Sequence, residues 1–443
     1  MAIEAGAKAL RNADRMSRPR LFAVVAVTFA AIAFGTPASA AGLLEPIPRA
    51  ESEAVVTQAS PQTVRRQLVR IDAGYMEATV APRGADKTPD RLEMAPEAGA
   101  VRLELFPEVS LTVDRNSLKK ASGGGYIWSG SIRGGDGGYA VLVIKNGRVT
   151  AQIQTGSKLY RIAPVAGDIH GVDELDPGAF PPDTAVSPPA PPDQGMTVPE
   201  LTNPEALTRV RVLFPYTKAA QQQSGGIAAD IDLAVSLMNL AARNGGARVR
   251  YKLAGKLKVR RYSEGSFSED LAAVSAGKGK FRSTRKKRNA AKADIVVLLR
   301  SSGSFCGLGW YIENPNASTA DYGFNVTAIN CISNHSVAHE TGHNSGLEHD
   351  RYQLVTYEGQ PEPPNTKYNF GYTNLKADVR SVMAYNAECG DKQPDRSCPR
   401  VPMFSSSKKK YEGAKLGQRR GRKGAADASR RLNETRAGVA SYR

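Results

Sequence analysis

The sequence predicts two unlike halves: a β-rich leading region, then an α/β domain of α+β character with a mixed, mostly parallel sheet. Three observations carry that prediction. Between 41 and 176, apolar and polar residues alternate with period two, and glycine clusters punctuate the runs. Between 177 and 204, nine prolines interrupt any regular element. From 206 onward, strand-like and helix-like segments take turns.

In the leading half, Val101-Arg102-Leu103-Glu104-Leu105-Phe106 alternates, as do 139–144 and 149–153, so each reads as a strand. Gly123-Gly124-Gly125 and Gly134-Gly135-Asp136-Gly137-Gly138 mark turns between them. The pairs Pro181-Pro182, Pro188-Pro189 and Pro191-Pro192 predict an extended linker over 177–205, semi-rigid and open to proteases. In the second half, 209–216 reads as a buried strand. Residues 227–242 read as an amphipathic helix closed by Asn244-Gly245-Gly246. A strand over 249–260 and a second helix over 266–291 follow. The apolar run 294–299 reads as a central buried strand. Segments 307–312 and 324–329 read as two further strands, and 426–441 as a closing helix.

Residues 1–40 have the layout of a signal peptide. Arg11, Arg15, Arg18 and Arg20 precede an apolar run over 21–35, and Ala38-Ser39-Ala40 offers a cleavage site. The run is short for a bilayer span, and an uncleaved anchor is the rival reading. No later apolar stretch is long enough to cross a membrane, so the mature form is expected to lack a transmembrane anchor. The expected location is extracellular, or periplasmic if the protein is retained. Cys306, Cys331, Cys389 and Cys398 are an even set in an exported chain and predict two disulfides. Of the three connectivities, the nearest-neighbour one is expected, Cys306–Cys331 with Cys389–Cys398. No C-x-x-C spacing supports a cysteine-held metal.

The net charge is +17, carried by the second half: residues 206–443 hold 39 Lys and Arg against 20 Asp and Glu. Basic runs at 282–292 and 408–423 read as solvated surface, with attraction to anionic surfaces as the functional reading. Tyr411 is the one aromatic residue within them, so no specific nucleic-acid partner is expected.

The densest chemistry lies in His339-Glu340-Thr341-Gly342-His343-Asn344-Ser345-Gly346-Leu347-Glu348-His349-Asp350. Four of the five histidines in the chain fall between 335 and 349. On a helix, His339 and His343 project from one face. Gly346 tolerates the positive φ that stops the helix and returns His349 to the same point. Three nitrogen ligands leave an open fourth position, the arrangement of a catalytic zinc. Glu340 then stands where a general base is needed. His335 reads as a supporting residue and not a ligand.

The extended histidine string, with Met383 in Ser381-Val382-Met383-Ala384-Tyr385-Asn386 downstream, resembles the metzincin metallopeptidases. Asp350 after the third histidine resembles their reprolysin or adamalysin-like branch. The Cys398-Pro399-Arg400 and 432–436 segments are similar to bacterial peptidyl-Asp metallopeptidases. The resemblance covers 206–443 well and the leading half loosely. It implies one catalytic zinc, with calcium left open, and protein or peptide substrates. Met383 would be the methionine of a turn beneath the metal, and Tyr385 a tyrosine close to it. Asp350 would orient the turn by hydrogen bonds. Gly307, Leu308, Gly309 and Trp310 would form the edge strand that pairs with the substrate backbone. The region 41–176 would be a prodomain that blocks the cleft.

Latency could not use a cysteine, since the leading half has none; Asp168 and His170 are the candidates for holding the metal temporarily. A basic domain suggests a preference for acidic side chains, with Arg400 and Lys392 as candidate readers. The alternative class is a secreted basic binding protein with a vestigial zinc site.

Overall fold

The computed structural model describes residues 43–55, 59–72, 99–188, 203 and 205–443. The expected signal peptide therefore lies outside the described residues. The leading region is an antiparallel sheet of nine described strands. Strands from Val101–Phe106 to Ile169–Leu175 follow one another as a meander, and Thr63–Ile71 pairs with Ile169–Leu175 beyond its far end. The glycine turns fit their backbones: Gly125 and Gly138 both have positive φ, and a Cβ on either would strike a neighbouring carbonyl.

Tyr139–Lys145 shows how this sheet is joined to the rest. Alanine, leucine and isoleucine at 140, 142 and 144 point into the core of the sheet itself. Tyr139, Val141 and Val143 point the other way, into a core shared with Val212, Phe214, Leu237, Met238 and Val297. A strand buried on both faces needs an unbroken apolar run, which this one has. Ion pairs flank the contact, Lys145 with Asp232 at 2.6 Å and Arg161 with Asp230 at 3.0 Å. Both sheets fall within one compact unit.

The second sheet has the order Asp183–Val186, Gly307–Trp310, Phe324–Ala328, Ile295–Arg300, Thr208–Tyr216, Val249–Lys258. Its pairs are parallel except Gly307–Trp310, which runs antiparallel to Phe324–Ala328. Residues 295–299 of the central strand are wholly buried, each worth about 1.5–3 kcal/mol of burial. Helix Ile227–Gly245 crosses this sheet and ends on Gly246 in the left-handed region, φ 82°.

Four expectations need correction. The single helix over 266–291 is two, Phe267–Ala276 and Arg282–Ala290. Gly277 at φ 60° caps the first, and Gly279 is also left-handed, so the chain turns between them. The run 177–205 is not all linker, because Asp183–Val186 is a strand. Prolines at 181 and 182 can precede a strand on a sheet edge. For the same reason Gly307–Trp310 is not a free edge: Asp183–Val186 covers it. Part of the basic run 282–292 is structural. Arg288 is buried and donates to the carbonyls of Ala293, Asp294 and Ala320.

Candidate metal centre

The helix Ser336–His343 is just long enough for its function and ends on the second histidine. It starts after His335, which takes a left-handed φ of 58°, and places His339 and His343 one turn apart. It cannot continue through Gly346, whose φ is 92° and whose Cβ would lie 3.0 Å from the Glu313 carbonyl oxygen. The chain reverses there and His349 returns to the other two, its ring centroid 4.7 Å from that of His343 and 5.4 Å from that of His339. All three rings are buried.

Hydrogen bonds settle which nitrogen of each ring is free. His339 Nδ1 lies 2.9 Å from the Val382 carbonyl oxygen and His343 Nδ1 2.9 Å from that of Leu347. A carbonyl only accepts, so both Nδ1 atoms carry the proton and both Nε2 atoms present lone pairs. Those two Nε2 atoms face each other at 3.0 Å. His349 Nδ1 meets Glu358 Oε1 at 2.6 Å. The three rings share a point, with one ligand-capable atom from each within 4.8 Å of the others. Two facing acceptors repel one another unless a cation lies between them. Three imidazole nitrogens, each held from behind by an acceptor, suit a borderline metal such as zinc.

The electrostatics fit the same use. Burial, with Arg400 nearby for His339, pushes the pKa of His339 and of His343 well down, so both stay neutral. Burial opposes charge on His349 as well, but the hydrogen bond and charge of Glu358, with Glu348 and Asp350, outweigh it and raise that pKa. Glu340 is fully buried, and among the described residues its carboxyl is met by the Asp183 side chain, which hydrogen-bonds it. Burial, then the charge of Asp183, pushes its pKa well above the usual carboxylate range. Gly307 and Gly309 pass beside it so closely that a Cβ would lie 2.5 Å and 2.9 Å from its carboxylate oxygens. Glycine at those positions makes room for Glu340.

The remaining candidates fall as follows. Met383 is buried beneath the helix, where a Cβ on Gly342 would sit 2.5 Å from its sulfur. Tyr385 places its hydroxyl 3.4 Å from His349 Nε2. Asp350 accepts from the backbone N–H of Gln353 at 2.9 Å and of Tyr385 at 2.8 Å, tying the two segments together. Trp310 donates from its indole to Ser275. Cys306–Cys331 and Cys389–Cys398 are both formed. His335 is turned away to Tyr139, 3.0 Å from its hydroxyl, and burial pushes its pKa down to about 3.

Asp168 and His170 do not reach the centre. Asp168 pairs with Arg70, and His170 is held between Val149 N–H and the Asp168 carbonyl. The aspartate beside His339 and Glu340 is Asp183. Of the two suggested acid readers, Lys392 pairs with Glu388 on the surface, whereas Arg400 is buried against Asp183. Sequence reasoning also missed Glu358 and Asn344. Asn344 donates to the carbonyls of Trp310 and Phe324 and so ties the helix end to the strand beside it.

Residues 218–405 match the model of metallo-peptidase family M12, of reprolysin type. This part of the chain is a metzincin-like metallopeptidase domain, and the protein hydrolyses peptide bonds. A Stenotrophomonas maltophilia protein named peptidyl-Asp metalloendopeptidase is 28% identical over 92% of this chain and 95% of its own length. A Xanthomonas campestris pv. campestris protein of the same name is 26% identical over 87% of each. Both alignments run into the β-rich leading half. The solved structure of metalloproteinase-II from Bacteroides fragilis superposes with a TM-score of 0.38 at 14% identity, over 57% of this chain and 81% of that one. That likeness is too loose to add to the fold.

Proposed function

We propose that this metallopeptidase is a zinc endopeptidase, exported and made as a zymogen, with Glu340 as general base and a preference for acidic side chains. The observation that carries the reading is the buried Glu340 carboxyl, met in the intact chain by Asp183, beside three imidazoles whose Nε2 lone pairs converge. When bound, zinc supplies Lewis acidity to a peptide carbonyl and to a water molecule. His339, His343 and His349 would hold it, oriented from behind by Val382, Leu347 and Glu358. Glu340 takes the proton of the attacking water and passes it to the leaving amide nitrogen. The Tyr385 hydroxyl donates to the carbonyl oxygen as its negative charge grows. Gly307–Trp310 receives the substrate main chain once its present neighbour has left. The names of the relatives support the acidic preference. The leader-like residues 1–40 and the two disulfides support export to an oxidising compartment, and the sheet packed on the domain supports latency.

The test is casein digestion by the full chain after cleavage of its proline-rich segment, with zinc content measured alongside. Wild type and Glu340→Gln should bind zinc alike, and the variant should lose roughly 10³-fold in kcat/KM. Full activity in the variant, or no proteolysis by zinc-loaded, cleaved wild type, overturns the proposal.

A further inference from the structure

Asp183 and Arg400 form a charged pair beside the metal centre that the catalytic scheme leaves unused. The strand Asp183–Val186 runs parallel to Gly307–Trp310, with Asp183 opposite Gly307 and Val186 opposite Trp310. At its ends, the N–H of Cys306 donates to the Pro182 carbonyl and that of Tyr311 to the Val186 carbonyl, both at 2.9 Å. The main chain of 182–186 thus fills the edge on which a peptide would lie. Its first side chain turns inward: a carboxylate oxygen of Asp183 lies within 4.8 Å of ligand atoms of His339 and Glu340.

There Asp183 Oδ2 accepts from Arg400 Nη1 at 2.5 Å, and the two side chains are only 0% and 2% exposed. Arg400 is fixed independently of Asp183. Its Nη1 also donates to the Asn334 carbonyl at 3.0 Å and its Nη2 to that of Ala384 at 3.3 Å, while Gln154 of the leading sheet holds its own carbonyl. The second buried guanidinium, Arg380, spends its donors on the carbonyls of Cys398 and Ala384 and adds positive charge. Its pKa is pushed down to about 9, first by burial and then by Arg400. The pairing is shared as well: Asp183 also hydrogen-bonds the Glu340 carboxyl, and Arg400 Nε has no partner among the described residues.

Withdrawal of the linker strand would leave Arg400 as a buried cation without a carboxylate, a state that strongly favours any ligand bringing one. A guanidinium is the side chain best shaped to take it. We propose that Arg400 is the receptor for an acidic side chain of the substrate, and that Asp183 fills this receptor in the intact chain. The strand Asp183–Val186 is then a built-in mimic of a bound acidic peptide. This inference rests on the endopeptidase reading above.

The experiment uses the full chain carrying a specific protease site in the segment 189–202, folded, zinc-loaded and then cut. Two fluorogenic peptides differing only by Asp or Asn at the selected position are compared by kcat/KM. Wild type should favour the Asp peptide by about 100-fold, as loss of a charged hydrogen bond predicts. Arg400→Gln should bring that ratio below about 5. As a measurement that needs no variant, a synthetic peptide with the sequence of residues 181–186 should inhibit cut wild type. Its Asp183→Asn counterpart should inhibit at least about 10-fold more weakly. Equal inhibition by the two peptides, or an unchanged ratio in Arg400→Gln, overturns the inference while leaving the endopeptidase reading intact. Cleavage of neither peptide nor casein by cut wild type overturns both.

Discussion

Asp168 and Asp183 each meet an arginine, Arg70 at 2.7 Å and Arg400 at 2.5 Å, and there the likeness ends. The first pair stands in water, its side chains 59% and 42% exposed. Solvent and salt screen it, and either partner is content without the other. The second pair has been taken out of water altogether. Its attraction is largely offset by desolvation, yet neither partner can be removed without stranding a buried charge. Distance alone therefore does not mark a functional pair. What marks it is the company it keeps: Asp183 also meets the buried Glu340 carboxyl, and Arg400 Nε has no partner among the described residues. Groups left so in a fold are costly, and such cost persists where a ligand is meant to relieve it.

The largest break in that comparison comes from cutting each pair in the same way. In a Glu340→Gln background, which prevents self-digestion, Asp183→Ala should destabilise the intact chain by about 3–5 kcal/mol in urea unfolding. Asp168→Ala should leave the midpoint within experimental error. Equal shifts would show that burial does not separate the two pairs.

A smaller effect is expected one step behind the metal. Glu358 holds His349 from the rear at 2.6 Å, and this hydrogen bond sets which nitrogen faces the centre. Glu358→Gln should weaken zinc binding by about 10–100-fold in a competition assay with a chelating dye. His339 and His343 rely on main-chain carbonyls that no substitution removes, so Glu358 is the one support of the three open to this test. Undiminished affinity would mean that the ring is held by packing alone.

These residues differ in how readable they were. The histidine string is local, and helical periodicity plus one left-handed glycine suffices to bring its rings together. The central strand 295–299 is apolar throughout and could hardly be anything else. Asp183, Arg400 and Glu358 carry no such pattern. Each is a single charged residue whose meaning comes from register across the fold: Asp183 lies opposite Gly307. Prolines at 181 and 182 argued against a strand, because the sequence does not say that this strand sits on an edge. Gly307 and Gly309 looked like ordinary edge residues; their need for no side chain follows from Glu340, which approaches from another element. The break at Gly277 was legible in Gly277-Lys278-Gly279, two helix-weakening glycines in three residues that the reading of one helix passed over.

The smallest effect sharpens the comparison from the leading sheet. His170 is buried there with both ring nitrogens engaged, Nε2 accepting from Val149 N–H at 3.1 Å and Nδ1 donating to the Asp168 carbonyl at 2.7 Å. Burial depresses its pKa, so the folded chain keeps the ring neutral at a pH where the unfolded chain protonates it. Below about 6.5, the ordinary value, the unfolded state binds more protons than the folded one, and stability falls as pH falls. The contribution is fully present above that value and is lost toward the depressed folded pKa, with a slope of at most about 1.4 kcal/mol per pH unit. Urea midpoints at pH 7.5 and 5.5 should therefore diverge more in the wild-type ring than in His170→Gln, both in the Glu340→Gln background. Unlike the imidazoles of the metal centre, His170 has no nitrogen left to offer, so its whole pH dependence should belong to stability and none to activity. Parallel midpoints in the two proteins would show that protonation of this ring is not coupled to folding.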